Sequence, residues 1–454
     1  MSRLKLPDIW FLTALLLTAA VGAVLLTSTG AIDADTSRLS YSRHYWQAAF
    51  DAISAACGVG LLTYDFQDDY TATGRWILSA LGVCGAVLFI AATTHAARRM
   101  QTGESRVRVP HPLLAVLGFL VIQALTVGVY LLANKLDQPI ENLQRGVAAF
   151  SSLGWGSVIG AGDALDGVSA WPLALLAWIG AVGWPVWLLL APSWHKRFGL
   201  NQHDSGAAPL IASLGAYVAF LLLAALLISL IESPRGATAS GGPNDQLAGR
   251  PFSQRYARSL VQTVSASGAG QPTEDFTGRN VSDGTKCTLA ALLVVGGLGG
   301  GATGGVHFTL FLWAAAGACA GLGWLGRGRA APDAARWMHA GMACLLLLIA
   351  LIVVVAVGML LLENWTASRY QSLPAFADAL LDAASIVAGG NLTSGLTETV
   401  TSRNMITGIR RGTNLYQYGM TLLMLAMLAG RVLPLTILRR LADRCEKPRA
   451  RAVI

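Results

Sequence analysis

The chain has 454 residues, of which 54% are hydrophobic and only 13% charged. A soluble domain of that length needs more charge to cover its surface, so that class is excluded. The formal net charge is +8, and no GxxxxGK[ST] segment is present to bind or hydrolyse a nucleotide.

Eight apolar runs have about the length, roughly 20 residues, that a helix needs to cross a bilayer. They cover 9–26, 76–92, 113–133, 171–190, 210–230, 289–325, 342–362 and 418–438. The first is long for the core of a signal peptide, and Ser28-Thr29-Gly30 is a poor cleavage site, so it reads as a retained helix. The sixth is too long for one plain helix and is interrupted by glycines. Cys57, Cys84, Cys287, Cys319, Cys344 and Cys445 are scattered, with no CxxC pair, and read as small packing residues rather than metal ligands or disulfides.

The connections set an orientation. With Arg3 and Lys5 inside, the short inner loops carry Arg98, Arg99, Arg106 and Arg108, then Lys196 and Arg197, then Arg327, Arg329 and Arg336. The tail adds Arg439, Arg440, Arg444, Lys447, Arg449 and Arg451. Basic residues close to helix ends in short loops mark the cytoplasmic side, which places both termini there. Most acidic residues fall in the long outer connections, where they either concentrate cations or serve as ordinary solvated loop residues.

Each outer connection holds a second, shorter apolar segment that ends at glycine: 45–61, 146–155, 260–270 and 376–390. The chain therefore reads as span, short helix, glycine turn, span, repeated four times. The repeats divide near 1–100, 101–200, 201–330 and 331–454. The architecture expected is all-α integral membrane, four pseudo-symmetric repeats around a central pore. Segments of about ten residues are too short to span. A half-helix whose C-terminal end points into the membrane carries partial negative charge there and favours a cation. Extended residues after it can aim carbonyl oxygens at a dehydrated ion. One such segment alone is better read as an interfacial helix or a loop with a capping glycine. Four, each between two spans, favour the pore. Arg431 is the one basic residue inside a span, and an intramembrane charge is costly and usually functional.

The segments Ile53-Ser54-Ala55-Ala56-Cys57-Gly58-Val59-Gly60 and Val264-Ser265-Ala266-Ser267-Gly268-Ala269-Gly270 resemble the "VSAxxxxG" filter segments of the Trk/Ktr/HKT superfamily of potassium transporters. The run from Gly296 to His307 resembles that family's "GGSSGSTGGGIK", and Gly430-Arg431-Val432-Leu433-Pro434-Leu435-Thr436 its "GRLGPLTL". The resemblance covers essentially the whole chain, and the length is similar to that of the Ktr-type membrane subunit. It implies potassium uptake across the plasma membrane, with K+ as the transported ion and neither catalysis nor a resident cofactor or other metal. The implied filter glycines are Gly60, Gly154, Gly270 and Gly390, with Gly389 as the alternative in the fourth repeat and Val59, Leu153 and Ala269 beside them. The implied gate is an intramembrane loop that includes Gly299, Gly300, Gly301, Thr303, Gly304, Gly305 and His307, together with Arg431. His307 stands where the family has lysine, and Asn391 follows the fourth filter segment. The implied partners are a second copy of the chain and a cytosolic nucleotide-binding ring of the RCK type on the basic inner face. Two other functions compete: a non-conducting relative acting as a regulatory or scaffold subunit, and a membrane enzyme using Ser54, Ser265 or Ser385. The enzyme lacks a spaced His and Asp.

Overall fold

The computed structural model describes residues 6–28, 30–32, 41–64, 66, 69–100, 109–133, 139–154, 170–190, 207–233, 251–268, 276, 281–321, 332–366, 376–394, 396 and 415–451. Among these the structure is helical, with no strand and a single isolated bridge between Ile32 and Tyr70. A bilayer has no water to pair an open peptide group, so apolar runs of this length close into helices.

In chain order, α1 (Leu6–Ser28), α2 (Tyr41–Ala56) and α3 (Ala72–Met100) form the first repeat. The second holds α4 (Pro112–Ala133), α5 (Pro139–Phe150) and α6 (Ala170–Leu190). The third holds α7 (Ala207–Ile231), α8 (Phe252–Gly268), α9 (Asp283–Val295) and α10 (Phe308–Gly321). The fourth holds α11 (Pro332–Thr366), α12 (Phe376–Ala388) and α13 (Leu415–Arg451). Among the described residues, 6 helices are long and apolar enough to cross a membrane, and the chain is a multi-pass membrane protein. Two of the eight expected spans are shorter, at Trp171–Gly183 and Phe308–Cys319. The first is cut by a kink at Gly183, and the second is what remains of the run 289–325 once the glycines break it into α9, a loop and α10.

The outside of the bundle is apolar and the inside is polar in patches, the reverse of a soluble core. Leu17, Leu125, Val129, Leu132, Leu223 and Val354 are exposed on the spans, where lipid covers them at no cost. The short helices α2, α8 and α12 are too polar for lipid. Their Asp51, Ser54, Gln262, Thr263, Ser265, Asp382 and Ser385 are buried because the spans sheathe them.

The repeats pack in a ring. The first touches the second through α3 against α4 and α5, and the fourth through α13 against α2 and α3. The third touches the second through α8 against α6, and the fourth through α9 against α12. Repeats two and four therefore face each other across the centre. A buried ion pair ties the third to the fourth, with the Lys286 ammonium 2.5 Å from the Asp378 carboxylate. Removing one partner of such a pair leaves a buried charge and is strongly destabilising.

One contact recurs in three repeats. Gly85 of α3 lies on the Ala56 carbonyl, Gly180 of α6 on the Phe150 carbonyl, and Gly430 of α13 on the Val387 carbonyl. In each case a span presses its backbone against the last turn of the short helix before it, an approach that small residues permit. A Cβ at Gly85 collides with the Ala56 carbonyl, whereas one at Gly128 on α4 meets nothing within 4 Å. Gly85→Ala is therefore expected to destabilise the protein by about 1–3 kcal/mol and to lower the unfolding temperature measured in detergent, with Gly128→Ala as the neutral control.

Candidate functional site

Helices α2, α5 and α12 end in the same way. The Val59 amide donates to the Ser54 carbonyl, the Leu153 amide to the Ala148 carbonyl and the Gly390 amide to the Ser385 carbonyl, each at 2.9 Å. The residue before each takes a left-handed φ: +62° at Gly58, +62° at Ser152 and +77° at Gly389. This is the Schellman arrangement, which satisfies the last carbonyls of a helix and turns the chain sharply. Glycine suits the left-handed position. Ser152 holds it without glycine, and its hydroxyl donates to the Gly268 carbonyl of the third repeat at 2.6 Å.

After the turn the chain runs back in extended form, pinned by a buried carboxylate. Asp51 accepts from the Thr63 amide at 2.7 Å, the Thr63 hydroxyl at 2.8 Å and the Tyr70 hydroxyl at 2.5 Å. Asp382 accepts from the Ser394 amide at 2.5 Å and the Thr393 hydroxyl at 3.0 Å. Both aspartates are wholly buried. Each reaches the amide 12 residues further along the chain, so the first and fourth repeats share one register.

That register orders the expected filter positions. Val59, Leu153 and Gly390 lie at one level, and Gly58, Ser152 and Gly389 precede them. One residue further on come Gly60 and Gly154, again left-handed at φ +79° and +61°. Their counterpart in the fourth repeat is Asn391, which takes no positive φ and whose side-chain amide donates to the Gly154 carbonyl at 2.8 Å. The first, second and fourth turns converge: a Cβ on Gly60 would strike the Leu153 carbonyl and lie 3.3 Å from the Asn391 side chain. Ala269 and Gly270 lie outside the described residues, and the third turn is described only as far as Gly268.

Beneath these turns runs the irregular segment between α9 and α10. Gly296, Gly299, Gly300 and Gly305 take φ of +68°, +138°, +76° and +82°, and His307 takes +68°. The segment is buried apart from a partly covered Gly300, so its backbone needs partners in protein. The Gly297 amide donates to the Thr303 hydroxyl at 3.2 Å, the Ala302 amide to the Gly180 carbonyl at 3.2 Å, and the Phe308 amide to the Gly297 carbonyl at 2.7 Å. Gly301 lies on the Gly180 and Ala181 carbonyls, and Gly304 on the Ala388 carbonyl at the end of α12. The kink at Gly183, φ +70°, is pressed on the Gly299–Gly301 backbone.

Arg431 of α13 joins the two layers. It is buried, and its guanidinium donates through Nε to the Cys57 carbonyl, through Nη2 to the Gly58 carbonyl at 3.2 Å and through Nη1 to the Ala302 carbonyl at 3.4 Å. It also lies against Gly389 and stacks over the Phe89 ring at 4.5 Å. A cation over an aromatic face is stabilised by the ring quadrupole, more so when both are out of water. His307 packs on Phe89 at 5.9 Å, and neither of its ring nitrogens has a partner among the described residues. A small cavity of about 10 Å³ is lined by Cys57, Gly58, Phe89, Ala302 and Arg431, among others.

The structure thus brings Val59, Gly60, Leu153, Gly154, Gly389 and Gly390 together above Arg431, and sets residues 299–305 and His307 below. The sequence reading missed Asp51, Asp382, Ser152 and Phe89. The aspartates carried a signal, each standing three residues before a serine in its short segment. Phe89 carried none, because an aromatic in an apolar run is ordinary.

Re-entrant helices whose turns meet at the centre of a ring of spans define a class of fold, the four-repeat pore-loop membrane proteins. No family model matches the chain, and no curated protein matches it. Among solved structures, the chain has the fold of the potassium transporter TrkH from Vibrio parahaemolyticus, with a TM-score of 0.63 and 15% identity over 95% of this chain and 84% of that one. That likeness is to a Trk-type protein and is one of fold.

The aspartate anchors can be tested apart from any activity. Asp51→Ala leaves the Thr63 amide and the Tyr70 hydroxyl without their buried acceptor, at about 1–3 kcal/mol per group. A clear fall in unfolding temperature is expected, and a similar fall for Asp382→Ala. Wild-type stability in both would remove the anchoring role.

Proposed function

We propose that the chain is a potassium uptake pore of the Trk/Ktr/HKT kind, Ktr-type, in the plasma membrane with both termini cytoplasmic. The observation that carries this reading is the convergence of buried, left-handed turns at the inner ends of short helices. Non-helical backbone at membrane depth is tolerated where it is buried in protein or lines a polar path. The C-terminal ends of α2, α5 and α12 add partial negative charge there, which suits a cation. The fold shared with TrkH, a protein described as a potassium transporter, supports the same reading.

In this reading the carbonyls around Val59 and Gly60, Leu153 and Gly154, Ala269 and Gly270, and Gly389 and Gly390 replace the hydration shell of K+. The four repeats, 1–100, 101–200, 201–330 and 331–454, contribute one segment each. Gly299, Gly300, Gly301, Thr303, Gly304, Gly305, His307 and Arg431 form the gate. The guanidinium takes up carbonyls of Cys57, Gly58 and Ala302, so it sits below the filter segments and repels the ion by charge. Conduction then requires Arg431 and the loop to move. Partners that suit this scheme are a second copy of the chain and a cytosolic RCK-type ring on the inner face, where Arg98 and Arg99 end α3.

The same guanidinium favours one competing reading, a non-conducting relative that serves as a regulatory membrane subunit. Rubidium uptake into liposomes separates the two. Arg431→Ala is expected to raise the flux about tenfold or more, the worth of one charge-assisted hydrogen bond, at equal amounts of monodisperse protein. Gly60→Ser forces a side chain onto a left-handed φ and toward the Leu153 carbonyl, and should abolish flux that Gly128→Ser leaves intact. No flux in either wild type or Arg431→Ala supports the regulatory reading.

A further inference from the structure

The fourth repeat departs from the first and second at one level. The first and second repeats place Gly60 and Gly154 there, both with left-handed φ, while the fourth places Asn391. Its Nδ2 donates to the Gly154 carbonyl at 2.8 Å. That bond joins the fourth repeat to the second, which face each other across the ring, and it passes beside Gly60 of the first, whose added Cβ would lie 3.3 Å from Asn391 Cβ. The side chain therefore lies across the centre.

The orientation of the amide follows from chemistry. A carbonyl only accepts, so the end of Asn391 that faces Gly154 is the NH2 group and not the oxygen. It turns a donor toward the axis and takes up an acceptor on the opposite wall. One residue earlier, the Gly390 carbonyl accepts from the Ser385 hydroxyl, and that hydroxyl in turn accepts from the Leu392 amide at 3.1 Å. The Gly390 oxygen is thus turned to its own helix. The hydroxyl of Ser54, the counterpart of Ser385 in the first repeat, makes no hydrogen bond among the described residues. At the Asn391 level the fourth repeat offers a side-chain amide where the first and second place glycine.

Resting on the potassium-pore reading above, we propose that Asn391 is a plug: its amide bridges the filter from the fourth repeat to the second and must swing aside before a bare monovalent cation passes. The plug lies above Arg431 and acts separately from it. The two obstacles occupy different levels, one donating to Gly154 and the other to Cys57, Gly58 and Ala302.

The test is rubidium uptake in liposomes by wild type, Asn391→Gly, Arg431→Ala and the double variant, with potassium-dependent thermal protection of each in detergent against N-methylglucamine at equal ionic strength. Asn391→Gly is expected to exceed wild type by at least about fivefold, the factor one neutral hydrogen bond is worth, and the double variant to exceed Arg431→Ala likewise. Asn391→Leu keeps the bulk without the donor and should stay at or below wild-type flux. Asn391→Gly flux no higher than its parent in either background overturns the plug. Where wild type and Arg431→Ala conduct all the same, the pore reading survives that failure. An absence of flux in all four proteins, with no potassium-dependent protection, brings down the pore reading as well.

Discussion

A peptide group in hydrocarbon has no water to bond to, and each unpaired one costs several kcal/mol. Three short helices nevertheless end inside this bundle, and a loop of a dozen residues runs beneath them. The Schellman turns at Gly58, Ser152 and Gly389 pair the last carbonyls within the chain. Carbonyls left over at the first turn, on Cys57 and Gly58, are taken by a guanidinium brought in from α13. The spans then close in through Gly85, Gly180 and Gly430, which sit on the last turns of the short helices. The bundle is built around satisfying this backbone.

The same arrangement sets the electrostatics. Helix ends that point their carbonyls inward create a place for positive charge. In this conformation the charge there belongs to the protein, as the Arg431 guanidinium, with the Phe89 ring as a second favourable surface. The guanidinium there balances the partial negative charge of the helix ends. The loop carries one of the arginine's acceptors, at Ala302, and lies under α12 through Gly304. The loop and the arginine are therefore linked through shared bonds.

The turns of the first, second and fourth repeats are alike in backbone and unlike in side chain. The second holds its left-handed turn with Ser152, which reaches into the third repeat at Gly268. The fourth uses Asn391, which reaches into the second at Gly154. Pseudo-symmetry lets such bonds between repeats form, because the turns meet at the centre of the ring. Each takes up a backbone carbonyl of another repeat.

The sequence by itself determined the membrane class, the long spans, the glycine-broken sixth run and the presence of a charge in the last span, because composition and run length decide those locally. It also located the short segments, since apolar stretches of about ten residues ending at glycine stand out between spans. It did not decide their register. Gly389 and Gly390 are adjacent, and a one-residue slip is invisible until the bond from the Ser394 amide to Asp382 sets the fourth turn against that from the Thr63 amide to Asp51. The partners of Arg431 come from three distant stretches of chain, at Cys57 and Gly58, Phe89 and Ala302. Only the closed ring of helices brings them to one point, and local pattern carries no trace of a contact made across the whole length of the fold.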